Sequence, residues 1–294
     1  MGEKQTVFLF LGIFLITHLL GLYVGNRYNQ AINRAIESGE LEERPGIVEG
    51  ISAERVENSF YLFGYIIIVT LIILLVIKFW RNFLKLLEAF AIFFSSWITF
   101  DFLIPISIWY VSLGFFLAIL LTAWKMLRPT ILSQNIAVIF TIAGVGAFIG
   151  ASLGILPVLI FMLLLTIYDF VSVFVTKHMV HLAKEITKRP TAFVVSIPHK
   201  FKKAVSFSYE KKKGKKKIHV FQLGAGDIAI PLMFSVSVLS SYSFVHGLLT
   251  SIGSVVALGI LIFYLVKKPG IALPAIPFIT LGSVGGFLAS LLFI

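Results

Sequence analysis

Asp169 and Asp227 stand apart among the acidic residues of this chain, because each lies well inside a long apolar run. Of the 14 Asp and Glu residues, seven glutamates fall between positions 26 and 58, while Glu3, Glu185 and Glu210 lie in polar segments. Glu88 and Asp101 fall near the ends of an apolar run, where water or headgroups are expected to reach them. A carboxylate held in hydrocarbon is costly, so one that is kept there points to function. Two carboxyl groups that face each other at low dielectric share a proton near neutral pH. The ionised partner then acts as general base on a water molecule, and the protonated one donates to a carbonyl oxygen or leaving amine. The same pair would suit a proton- or cation-coupled transporter or channel, and the aspartates alone leave both chemistries open. Neither calls for a cofactor. No metal set accompanies them: the chain has no cysteine, and His178 and His181 have no further ligand close in sequence.

The elements that must position this pair are membrane spans. The 294 residues are 58% hydrophobic and 13% charged, with a mean hydropathy of +0.97. Soluble domains carry roughly 25% charged residues. Backbone in hydrocarbon must satisfy its own hydrogen bonds, so the reading is an all-α membrane protein. Nine transmembrane helices are expected, at about 6–25, 59–79, 83–102, 104–124, 133–151, 154–176, 219–243, 245–266 and 271–293. The third and fourth are separated only by Asp101 and Pro105. Residues 1–176 thus carry spans one to six with an external acidic loop at 26–58. Residues 177–218 form a cytoplasmic basic loop, and 219–294 carry spans seven to nine of one integrated membrane domain.

Charge sets the orientation. Lys4 and the even-numbered connections hold 21 of the 25 Lys and Arg residues. The other four, Arg27, Arg34, Arg44 and Arg55, sit among the glutamates of the first loop. The positive-inside rule then puts the amino terminus in the cytoplasm and the carboxyl terminus outside, in a multi-pass protein of the cell membrane. The cluster Lys211-Lys212-Lys213-Gly214-Lys215-Lys216-Lys217 reads as an anchor to anionic headgroups. It lacks interleaved aromatic residues, which argues against nucleic acid.

Asp169 precedes Lys177 by eight residues, and Asp227 follows Lys217 by ten. At about 1.5 Å per helical residue, both lie roughly 12 to 15 Å from the basic flank. Consecutive antiparallel spans therefore bring them to matched depth. Their neighbourhoods are distinctive: Tyr168-Asp169 in span six and Gly224-Ala225-Gly226-Asp227 in span seven. Leu273-Pro274-Ala275-Ile276-Pro277 opens span nine. The glycines remove bulk and permit a non-helical backbone beside the carboxylate, and the prolines interrupt helix hydrogen bonding at the same depth.

These three motifs, in those spans and in that order, resemble the presenilin and signal peptide peptidase family, and the likeness covers the whole chain. It implies an intramembrane aspartyl endopeptidase that cuts within or near transmembrane segments of membrane-protein substrates. Asp169 and Asp227 would be catalytic, while Tyr168, Gly224, Ala225, Gly226, Leu273, Pro274, Ala275, Ile276 and Pro277 would shape the site. Ile276 stands where the family's Pro-Ala-Leu motif has leucine, and Ala225 where presenilins commonly have leucine. The cytoplasmic amino terminus matches the presenilin orientation, and the compact chain resembles archaeal homologues. That likeness implies transmembrane proteins or peptides as substrates, the lipid bilayer as surroundings, and no obligatory partner subunits, with a homo-oligomer left open. Finally, the four-residue glycine spacings Gly21…Gly25, Gly146…Gly150…Gly154 and Gly282…Gly286 favour close helix contact, read first as packing within the chain.

Overall fold

A computed structural model describes residues 3–48, 50–79, 83–108, 111–171, 174, 194–198, 220–267 and 273–293. Among them the chain is mostly helical, with nine α-helices and two small two-stranded sheets. The first three helices are α1 (Glu3–Glu37), α2 (Glu57–Phe79) and α3 (Phe83–Leu103). A hairpin of β1 (Ser107–Ile108) and β2 (Val111–Ser112) follows. Then come α4 (Leu113–Leu127), α5 (Ile131–Ala151) and α6 (Ile155–Phe170). Strands β3 (Val194–Pro198) and β4 (Val220–Gly224) pair antiparallel and lead into α7 (Ala225–Ser241), α8 (Phe244–Lys267) and α9 (Ala275–Phe293). Five helices, α1, α3, α5, α8 and α9, are long and apolar enough to cross a membrane. The other four are also apolar, but shorter over the residues whose side chains are described.

Each helix falls on one of the nine apolar runs, but several ends differ from expectation. α1 continues to Glu37, so the first third of the acidic loop is helix; its alanines and straight-chain polar residues extend the span beyond its apolar part. Residues 104–108 and 111–112, assigned to span four, are not helical: Pro105 has no N–H to give the preceding turn, and strands β1 and β2 intervene. α4 starts where the Ser112 side chain caps the Phe115 N–H. Span seven begins as strand rather than helix, and α9 starts at Ala275, four residues later than expected. The end of span six beyond Phe174, His178, His181 and the lysine cluster lie outside the described residues.

The core forms around α7. Apart from partly buried Ala229, every residue from Ile228 to Leu239 is buried, so this helix is surrounded on all sides. It is approached closely because its neighbours present glycine: a Cβ on Gly21 or Gly25 of α1 would fall within 2.4 to 2.6 Å of Leu232 or Val236. A Cβ on Gly146 or Gly150 of α5 would strike Leu232 or the Met233 carbonyl in the same way. The expected glycine contacts are thus made within the chain. Large apolar residues lie exposed on the outer helices, among them Ile66 to Val69 of α2 and Leu292 and Phe293 of α9. That pattern suits contact with lipid rather than water.

Several polar residues inside the bundle have side-chain partners. Glu88, expected near water, is instead buried and bonded to buried Lys125 of α4. Such a pair offsets the desolvation of both charges. Half-buried Asp101 packs against Gly114 instead of facing open solvent. His18 stacks on Phe14 and meets Ser251 at 3.0 Å, which accords with a packing role. Outside the spans, Arg44 of the first loop reaches Asn29 and the Ser240 carbonyl, docking the loop on the ends of α1 and α7. Burial holds the Arg44 guanidinium below its ordinary range, partly offset by the Glu54 carboxylate.

Candidate active site

Each aspartate sits at a helix end, and the two ends converge. Asp169 lies in the last turn of α6, 8% exposed. Its Oδ2 accepts a hydrogen bond from the Ile276 N–H at 3.3 Å, and the Ala275 N–H also bonds the carboxyl. These are the first main-chain donors of α9. The opening turn of a helix has no internal partner for its N–H groups, so they are free to bind an anion. Pro274 lies buried just before the helix, and Pro277 has no N–H to give within its first turn.

Asp227 occupies the third position of α7, where acidic side chains are favoured by the helix dipole. Its carboxyl turns back to the Gly224 N–H and lies within electrostatic reach of Asp169. Gly224 caps the helix in an extended conformation, φ −62° and ψ 142°, as the last residue of β4. A Cβ there would come 3.1 Å from Asp227 Oδ2. Gly226 differs: it is exposed, with only Ile230 Cδ1 at 3.9 Å from a Cβ position. It leaves room in front of the aspartate. Four residues on, Pro231 has no N–H for the Asp227 carbonyl, so that helix bond is absent beside the site.

The remaining predicted residues fall close by. Ala275 and Ile276 supply the donors to Asp169, and Ala225 and Ala275 pack on the core cluster that includes Val195, Ile228 and Ile279. Leu273 is partly buried just ahead of buried Pro274. Tyr168, partly buried, precedes Asp169 on α6. The expected non-helical backbone before Asp227 is found at Gly224, whereas Gly226 is already helical. Matched depth assumes ten helical residues before Asp227; five of them are strand, yet the two aspartates still lie within electrostatic reach. The sequence reading missed the β3–β4 sheet, although the run Val194-Val195-Ser196-Ile197 is rich in β-branched residues. Among the described residues no group of three His, Cys, Asp or Glu side chains could hold a metal.

Two carboxyl groups within electrostatic reach suit general acid–base chemistry, in which one takes a proton from water and the other gives one. Residues 32–294 match the family described as signal-peptide peptidase, presenilin aspartyl protease. The chain belongs to that family. Its fold is shared by two solved structures of a presenilin family intramembrane aspartate protease. In the C222 form the identity is 19%, over 98% of this chain and 99% of that one, with a TM-score of 0.65. In the P2 form the identity is 23%, over 95% and 97%, with a TM-score of 0.61. No curated protein sequence matches the chain. As a family member it is an intramembrane aspartyl endopeptidase, and its substrates are membrane proteins. The transporter reading finds no support.

In such a protease the two motif glycines should behave differently. Gly224→Ala brings a methyl group against Asp227 Oδ2. It should lower kcat by about tenfold, since a small misplacement of a catalytic group is costly. Gly226→Ala adds a methyl group in the open space in front of Asp227, and should raise KM with less effect on kcat. Steady-state kinetics on one transmembrane peptide separates the two; equal effects on kcat would contradict these positions.

Proposed function

We propose that Asp169 and Asp227 are the catalytic pair of this protease, and that it cleaves peptide bonds within or near transmembrane segments. The observation that carries this is that the two carboxyl groups lie within electrostatic reach of each other, each held by main-chain donors at the start of a helix. The ionised carboxyl takes a proton from water as it attacks the scissile carbonyl, and its partner protonates the oxygen; the proton taken from water then passes to the leaving amine, while the partner recovers its own from the diol as the C–N bond breaks. No covalent intermediate or metal is needed. A helical substrate hides its carbonyls, so it must open locally. The paired strands ahead of Asp227, open Gly226 and the Leu273–Pro277 segment favour binding of that opened stretch in extended form. Tyr168 and Ala225 line this setting.

The positive-inside pattern supports a nine-span topology in the cell membrane, with a cytoplasmic amino terminus, cytoplasmic 177–218 loop and external carboxyl terminus. All nine spans form one integrated domain, active without obligatory partner subunits; association with further copies stays compatible with this arrangement. The decisive test is cleavage of a transmembrane peptide by the purified protein in lipid vesicles. Products should appear, and an aspartyl-protease transition-state inhibitor should suppress them; aspartate-dependent ion flux without cleavage would overturn the reading. Because the chain has no cysteine, single cysteines at Ser38 and Gly214 report topology. An impermeant thiol reagent applied to cells should label the first and spare the second.

A further inference from the structure

Strand β3 has two edges, and both are occupied. One pairs with β4, in a register running from Val194↔Gly224 to Pro198↔Val220. The other meets two amide side chains near the start of α5. Asn135 Oδ1 accepts from the Ser196 N–H at 3.0 Å, and Asn135 Nδ2 donates to the Ser196 carbonyl at 2.9 Å. Gln134 Nε2 donates to the Val194 carbonyl at 2.8 Å. Asn135 therefore offers Ser196 the donor and acceptor that a neighbouring strand would offer, and Gln134 repeats the donor two residues along. These amides are rigidly placed: a Thr130–Ser133 capping box fixes the start of α5, and Ser133 Oγ also bonds the Arg128 carbonyl at 2.9 Å.

The opposite side of the sheet leads to the site. β4 ends at Gly224, whose N–H bonds the Asp227 carboxyl. A continuous set of directional bonds thus runs from α5 through β3 and β4 to that carboxyl. Burial of Val195 and Ile197 also holds β3 to the bundle. Burial is non-directional, however, whereas hydrogen bonds fix position along the strand.

We propose that Gln134 and Asn135 are positioning residues for cleavage: a two-amide stand-in for a third strand, which sets where β3 and β4 lie and hence where Asp227 acts along the substrate. The residue types fit the task. An amide carries its donor and its acceptor on two separate atoms, as is needed to match the N–H and the carbonyl of one strand residue. An aspartate at 135 would accept from the Ser196 N–H but set an oxygen against its carbonyl. With the α5 side of the sheet filled, the outward edge of β4 is left for an extended substrate. The proposal rests on Asp227 being catalytic.

The test compares wild type with Asn135→Asp, Asn135→Ala, Gln134→Leu and, separately, Asp227→Asn in lipid vesicles. Product masses, kcat and KM are measured on one transmembrane peptide, with hydrogen exchange followed at 194–198 and 220–224. The Asn135 variants should lose roughly tenfold to a hundredfold in kcat, as expected for a displaced catalytic group. Their products should spread to neighbouring peptide bonds, with faster exchange confined to the two strands. Gln134→Leu should show the same changes to a smaller degree. Wild-type products and strand exchange in Asn135→Asp would overturn the proposal, as would slower cleavage at the unchanged bond with exchange raised throughout the protein. If Asn135→Ala fails to fold, Asn135→Asp decides by the same readouts. Full activity in Asp227→Asn would instead remove the catalytic assignment, leaving strand exchange to decide the tether.

Discussion

Replacing either aspartate by asparagine should lower the rate of peptide cleavage by roughly 10²- to 10⁴-fold, the range over which a positioned acid or base contributes. Asparagine is close in shape, and at 227 it can still accept from the Gly224 N–H; at 169 it can still accept from Ile276. The folded structure should survive, so thermal unfolding in detergent should stay close to wild type. The double substitution should be scarcely worse than either single one, because the proposed pair works as one proton-sharing unit. Product formation by mass spectrometry, at matched protein concentration, measures this. A single variant that keeps more than a small fraction of the wild-type rate would remove that residue from the chemistry.

The second large effect is on stability and lies away from the site. α8 and α9 touch at three glycines: a Cβ on Gly253 would fall 2.2 Å from the Gly282 carbonyl oxygen, and one on Gly286 would fall 2.5 Å from the Leu249 carbonyl oxygen. Gly286→Leu must therefore force the helices apart. Overpacking of this kind typically costs about 1–3 kcal/mol, and backbone in the way leaves little room to relax. Gly285 is the control, since it is exposed and nothing lies within 4 Å of its Cβ position. Gly285→Leu should melt near wild type, while Gly286→Leu should melt several degrees lower. Activity should fall in the second variant as well, because α9 carries the N–H groups that bind Asp169. Equal melting of the two variants would contradict the seam.

What the sequence revealed follows from which forces leave a local mark. A carboxylate in an apolar run is visible without any structure, so Asp169 and Asp227 could be singled out, and charge alternation could pair their spans. The glycine spacings marked helix contacts for the same reason, as they recur on one face. Span ends were harder to read. α1 runs on to Glu37 through residues that favour helix but not membrane, and Pro105 moved the start of α4 to Leu113. The β3–β4 sheet escaped notice because its partners are distant in sequence, and a five-residue strand carries little pattern of its own. Nothing in the sequence sets Gln134 and Asn135 apart from other polar residues near a helix start. Their meaning depends on a strand about sixty residues away. In sequence Glu88 reads as a headgroup-level acid, because its partner Lys125 comes from the next helix.

β4 passes into α7 at Gly224 with no intervening loop. A substrate that lies along β4 therefore shares a rigid joint with Asp227. How well its residues fit the strand and how well the carboxyl is aimed become a single event. Selectivity in such an enzyme is expressed in turnover more than in affinity. Many transmembrane segments would be admitted and held, and only those that settle fully along the strand would be cut at speed. Poorly fitting segments would then act as competitive inhibitors of good ones, binding nearly as tightly while reacting slowly.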